Sequence, residues 1–257
     1  MQLIRKLALT IAVSAIGFFP LTSNLSWAQT SSIEVKAENS LEKMFNYLEN
    51  QSSLSFQADI SQDLVFSNGQ KIQLGAVARL KVRRPDKLHI DYQGDRRHVR
   101  FYFDGQTFTM EGLSNNVYAN FPAPAETNSV NFLVNNIEDK LNITLPLGEI
   151  ISTENGLESI RERNISGVYV GESIVNGIAC HHLAFRQEDL DWQIWIEKGD
   201  QALPRKLVIT YKDNPYSPQY SAVLSDWNFH SISAQDPIFF FKPATDANKI
   251  DFVIIEE

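Results

Sequence analysis

Cys180, His181 and His182 bring together a thiolate and two imidazoles, the side chains that transition metals prefer. They stand in a stretch of alternating polarity, where neighbouring side chains point to opposite faces. Only Cys180 and His182 can share a side, and a third ligand such as His230 has to come from elsewhere. The simpler reading is a buried thiol beside two strand histidines, and neither a metal nor a cofactor is expected. Ser40 and Lys43 have the S-x-x-K spacing that sets a serine nucleophile one helical turn from a lysine. The companion S-D-N and K-T-G elements do not occur, and Ser225-Asp226-Trp227 does not replace them. Ser40 then reads as a helix-start residue. Glu188, Asp189 and Asp191 gather before Trp192, but without a nearby candidate partner for acid/base work they read as a solvated turn. No G-x-S-x-G, H-E-x-x-H, P-loop or dinucleotide fingerprint occurs, so no catalytic residue is assigned and no enzymatic activity is expected.

Two other sets of residues point to binding. Lys81, Arg83, Arg84, Lys87, Arg96, Arg97 and Arg100 fall within twenty residues of an otherwise acidic chain, opposed there by Asp86, Asp91 and Asp95. They flank two turns. If those turns share one rim, Arg83, Arg84, Arg96, Arg97 and Arg100 are candidates to meet an anionic lipid headgroup or an acidic partner. The bland alternative is hairpin charge that keeps the chain soluble. Apolar residues supply the second set: Phe56, Ile90, Phe101, Phe103, Phe108, Trp192, Ile194, Leu207, Ile209 and Tyr211 all fall on the apolar parity of their strands. Such residues form a core or, where the sheet is concave, the wall of a hydrophobic cavity.

The elements that carry them are mostly strands. From Leu54 every second residue is mostly apolar until the hairpin signal Asn68-Gly69, and Ile72 to Val82 repeat the pattern as far as the turn Arg84-Pro85-Asp86. Further strands are expected around Leu88–Tyr92, Val99–Phe103, Phe108–Met110, Val117–Phe121, Val168–Val170, Ile178–Phe185, Trp192–Ile196 and Leu207–Tyr211, with Ile238–Phe241 and Ile250–Ile255 at the tail. Short turns between them demand antiparallel neighbours. About ten strands is the size at which an open twisted sheet begins to curl. Asn39 and Glu42 resemble a capping box before an amphipathic helix at 39–50, and Val130, Leu133, Val134, Ile137 and Leu141 define a second at 128–141. Shorter helical pieces are expected at Leu147–Ile151 and Leu157–Arg161. The fold class is therefore mainly β, an unclosed, curled antiparallel half-barrel with helices in or across its concave face.

Export is written at the start of the chain. Arg5 and Lys6 precede the apolar run Leu7–Leu21, and Ser26 and Ala28 give the small-x-small pattern of a cleavage site after Ala28. Residues 1–28 are expected to be a signal peptide, 29–38 a disordered segment and 39–257 a single domain in the periplasm. The mature chain then has no transmembrane anchor. Removing 1–28 takes away Arg5 and Lys6 and no acidic side chain, so the formal net charge moves from −8 to −10, which argues against nucleic-acid binding. With Cys180 as the sole cysteine there is no internal disulfide, and stability rests on packing.

The stretches RRPDKLHIDYQGDRRHVRFYFDG at 83–105, VNGIACHHLAFRQEDLDWQIWIE at 175–197 and LPRKLVITY at 203–211 resemble the DUF2092 family of predicted periplasmic proteins, over most of residues 38–255. That family is similar in fold to the LolA/LolB-like periplasmic lipoprotein carriers and outer-membrane lipoprotein receptors, unclosed barrels whose helices plug a hydrophobic concavity. The resemblance implies ligand binding without catalysis and carries over no particular residue. The leading expectation is a periplasmic carrier or sensor that takes a lipid or a lipoprotein acyl chain into the hollow, gated by the helices at 39–50 and 128–141. The alternative is an interaction module that meets an envelope protein through the basic rim while its own helices fill the cavity.

Overall fold

A computed structural model of the chain describes residues 32–123, 129–134, 145–152 and 155–251, with the backbone alone at Glu149. The expected signal peptide, the second half of the 128–141 helix and the chain beyond 251 lie outside the described residues.

Among the described residues, thirteen strands form one sheet. In chain order they are β1 (Ser32–Ile33), β2 (Ser53–Val65), β3 (Lys71–Arg83), β4 (Lys87–Gly94), β5 (His98–Phe103), β6 (Thr107–Gly112), β7 (Val117–Pro122), β8 (Ser166–Val175), β9 (Ile178–Arg186), β10 (Leu190–Glu197), β11 (Pro204–Tyr211), β12 (Gln219–Asn228) and β13 (Asn248–Lys249). Two antiparallel meanders, β2 to β7 and β8 to β12, join edge to edge where β12 pairs with β2. The ends do not meet: β1 pairs with β8 at one edge and β13 with β7 at the other, both parallel. Neither parallel pairing was foreseen, because each rests on two residues with no pattern to read.

The longest ribbon, β2 with β3, keeps one register from Ser53↔Arg83 to Val65↔Lys71. Its hairpin closes at Gly69, whose φ of +85° favours glycine, and where a Cβ would stand only 2.8 Å from the Tyr216 ring. Because pleated side chains alternate, Phe56, Ala58, Ile60, Ala78, Leu80, Ile90 and Phe101 all face one side, and the helices lie on that side.

Helix α1 (Val35–Glu49) buries Ala37, Leu41, Met44, Phe45 and Leu48 against β8 and β10. It starts four residues before the expected capping box. Asn39 lies inside it, Glu34 is the N-cap residue without a side-chain cap, and residues 32–38 are strand and helix rather than a disordered lead-in. Residues 130–134 are helical (α2), followed by α3 (Gly148–Ile151) and α4 (Gly156–Arg163), close to the short pieces expected. Gly156 lets α4 press on α1, since a Cβ there would stand 2.6 Å from the Phe45 ring. All four helices share one hydrophobic core with the sheet.

The tail departs from expectation. Residues 238–241 are not a strand: Pro237–Phe239 is a 3₁₀ turn, capped by the Asp236 side chain, which accepts from the Ile238 amide at 3.0 Å. Proline lacks the ladder donor, and that favours a turn over a strand here. This segment straps the opposite, convex face at β4 and β5, where Phe239 is fully buried and Phe241 packs against Tyr102 and Tyr118. Among the described residues, no helix is long and apolar enough to cross a membrane.

Candidate functional site

Curvature follows from which side chains meet. Tyr211 on β11 and Phe101 on β5 lie five strand spacings apart in the sheet order, about 24 Å on a flat sheet at ~4.8 Å per strand. Both line one cavity of about 540 Å³, so the sheet is curled around it.

Register gives the cavity two ends. At the end marked by the β3–β4 turn, Leu54, Val82, Leu88, Phe103 and Phe108 are almost wholly buried and close the trough. Toward the β4–β5 turn the wall becomes polar, with Tyr92, Tyr211 and Tyr220 followed by Gln62, Asp63, Arg97, Asn214 and Gln219. Between these ends the floor is Ile60, Ala78, Leu80, Ile90, Phe101 and Met110, and the roof is the segment Leu145–Gly148 with Ile151. Burial raises the Tyr220 phenol well above its ordinary pKa, with Tyr211 and Tyr92 adding to the shift, so these three phenols are close enough to feel one another. At neutral pH Tyr220 is therefore a hydrogen-bonding group, not a charge.

Of the apolar candidates, the structure brings Ile90, Phe101 and Tyr211 to the cavity. The others fill the trough elsewhere. Phe56 stacks on Trp227 at 4.4 Å, and Trp192 stacks on Phe185 at 4.2 Å while its indole N–H donates to Asn164 at the end of α4. Phe103, Phe108, Ile194 and Leu207 are core residues, and Ile209 packs against that core. Sequence reasoning missed Ile60, Ala78, Leu80, Tyr92, Val99 and Met110. All six share the strand parity that selected Ile90, Phe101 and Phe108, so the whole face, rather than its bulkiest members, was the available signal.

The five arginines do not form one rim. Consecutive turns of a meander lie at opposite ends of the strand between them, and the eight residues of β4 hold them about 27 Å apart at ~3.4 Å per residue. Arg83 and Arg84 stand at the closed end, whereas Arg97 lines the cavity mouth and Arg96, in the same turn, lies outside the lining. Arg100 sits mid-strand on the convex face, bonded through Nε to Asp91 at 3.1 Å. Arg83 pairs with Asp86 at 3.4 Å. Arg84 is mostly buried and its Nη1 donates to Asn131 Oδ1 at 3.3 Å, while its Nε and Nη2 are buried without hydrogen-bond partners among the described residues. Desolvation lowers its pKa from the ordinary value, opposed by Glu49.

The reactive-looking residues are engaged elsewhere. His182 stacks on Trp195 at 4.1 Å and shares a hydrogen bond with Gln193, while Tyr169 and His181 are hydrogen-bonded at 2.9 Å. Cys180 is buried, which raises its thiol pKa. His230 is exposed on the loop after β12. Among the described residues, no three His, Cys, Asp or Glu side chains are grouped to hold a metal. The Ser40 hydroxyl donates back to the Lys36 carbonyl, and Lys43 faces Asp200 at 3.7 Å. Glu188 and Asp189 are exposed, and Asp191 pairs with Arg186 and Lys212.

The described residues thus form an open β trough with helices on its concave face and a cavity that is polar at a single end. The chain belongs to the family described as predicted periplasmic protein (DUF2092), whose model matches residues 37–253. In backbone arrangement it is similar to an uncharacterized conserved protein from Thermus thermophilus, at 9% identity, over 84% of this chain and 99% of that one, with a TM-score of 0.48. It is also similar to the Mycobacterium tuberculosis lipoprotein LppX, at 9% identity over 78% and 98% of the two chains and a TM-score of 0.43. A LolA superfamily protein from Nitrosomonas europaea gives 9%, 80% and 97%, with a TM-score of 0.39. No curated protein matches this sequence.

Proposed function

We propose that this chain is a non-catalytic, exported periplasmic protein that binds the hydrophobic chain of a lipid or lipoprotein, as a carrier or sensor. The observation that carries this reading is the cavity itself: about 540 Å³, apolar along its floor and polar at one end. That volume falls within the ~300–1,000 Å³ of small-molecule sites. Each methylene that leaves water for the floor contributes about 0.8 kcal/mol, so even a short acyl chain gives useful affinity. The short segment Leu145–Ile151 roofs the cavity, and access to the floor runs past it. The expected gate at 39–50 fits less well, because α1 packs over β8 and β10, away from the cavity floor.

Displacement of a fluorescent fatty acid tests the reading, with wild type compared against Ala78→Phe. Ala78 is a small residue of the cavity floor, and a phenyl group there occupies the space an acyl chain needs. Wild type binds and the variant does not, while both keep the same circular dichroism. A wild type that fails to take up the probe, or a variant that binds equally well, refutes it.

A further inference from the structure

Among the described charged residues that line the cavity, one is left without an opposite charge. Asp63 is answered by Lys71 at 3.5 Å, and its Oδ2 also accepts the Gln219 amide at 3.1 Å. Arg97 has no carboxylate partner among the described residues; its guanidinium lies over the Tyr92 ring, 5.3 Å from the centroid. The neighbouring acid Asp95 is turned away, its Oδ2 accepting the Gly75 amide at 2.6 Å. Among the described residues the cavity mouth therefore carries one uncompensated cation, on an aromatic shelf beside the phenols of Tyr211 and Tyr220. Directly beneath, the wall turns apolar at Ile60, Leu80, Ile90 and Phe101.

From this we infer that the ligand is a single-chain anionic amphiphile, its carboxylate or phosphate head bound by Arg97 at the mouth and its chain lying on the floor toward Phe101. This inference rests on the proposed cavity function and narrows it to one charge type and one orientation. An exposed guanidinium alone is weak. Here the flat Tyr92 ring shields one face of it, and the apolar chain holds the anion in place, so the pair forms without ordering a second long side chain.

Binding of dodecanoate, dodecyl phosphate, dodecanol and dodecyltrimethylammonium, each below its micelle concentration, tests the inference by calorimetry. Wild type prefers the two anions to the alcohol about tenfold and takes the cation most weakly. Arg97→Gln brings the anions to the level of the alcohol, whereas Arg96→Gln, outside the cavity, leaves the preference in place. Inorganic phosphate alone does not displace dodecyl phosphate, because the chain is part of the recognition. Equal binding of all four amphiphiles, a preference that survives in Arg97→Gln, or displacement by inorganic phosphate overturns the inference. Were no amphiphile to bind at all, the cavity function itself would fall.

Discussion

His89 offers a sharp test of how the convex face is held. It sits on β4, 8% exposed, with its ring edge-on to Tyr102 at 5.1 Å and the C-terminal strap packed against the same strand. Burial, with Arg100 and Lys81 nearby, pulls its pKa down from 6.5 to about 4, against the opposing pull of Asp91. The folded state therefore favours the neutral ring. Its contribution to stability is complete above pH 6.5 and is lost as pH falls toward 4, because the unfolded chain takes up a proton that the folded chain refuses. At pH 5 the full linkage amounts to about 2 kcal/mol, and access of water to the ring edge reduces it to about 1–2 kcal/mol. For a domain of this size that lowers Tm by roughly 3–6 °C between pH 7.5 and pH 5. The measurement is Tm across this range for wild type and His89→Phe, which keeps a ring against Tyr102 and cannot titrate. A shallower slope remains in the variant, because the His181 pKa is also lowered by burial. Asp91, whose pKa is depressed, acts only in more acid solution and stays outside the window. Identical slopes for the two proteins would show that His89 is not the buried titrating group.

Gly156→Ala sets a methyl 2.6 Å from the Phe45 ring and forces α1 and α4 apart, so chemical denaturation should show a loss of about 1–3 kcal/mol. Phe103→Asp and Ile194→Asp put a carboxylate into fully packed core, and both variants should lose cooperative unfolding altogether rather than lose binding selectively. Arg84→Met keeps the aliphatic stem and removes two buried donors that lack partners among the described residues; its Tm should equal or exceed that of wild type, and a clear drop would show that the guanidinium stabilises the closed end.

Strand alternation made the sheet legible, because a buried face imposes a period of two wherever the ladder is long. Ser53–Val65 against Lys71–Arg83 is the clearest case. Two-residue pairings such as Asn248↔Val117 carry no period, and the strap at Pro237–Phe239 is apolar without being extended, so both lay beyond that kind of reading. The candidate site was half legible. Parity identifies which side chains share the concave face, but it cannot say where along a strand the helices stop filling it. Phe56 and Ile90 look equivalent in sequence; one lies stacked on Trp227 and the other at the cavity. The arginine rim failed for a simpler reason, since turns that follow one another in a meander alternate between the two ends of the sheet.

Why the trough is filled at one end and open at the other is a matter of side-chain volume. Over β8 and β10 it is covered by the fifteen residues of α1, whose Leu41, Met44, Phe45 and Leu48 fill the space. Over β3 and β4 the described part of the roof is Leu145–Gly148 with Ile151, where Gly148 carries no side chain, and the floor below contains Ala78. A dry, sealed void of 540 Å³ would cost about 13 kcal/mol at ~24 cal/mol per Å³, as much as the whole stability of an ordinary domain. The cavity therefore has to be in contact with water or with a ligand, and the polar mouth at Tyr92, Arg97 and Gln219 is where that contact is made. For the same reason Ala78→Phe, which removes apolar wall from water, should abolish acyl-chain binding without lowering Tm, the reverse of what a phenyl group forced into a packed core would do.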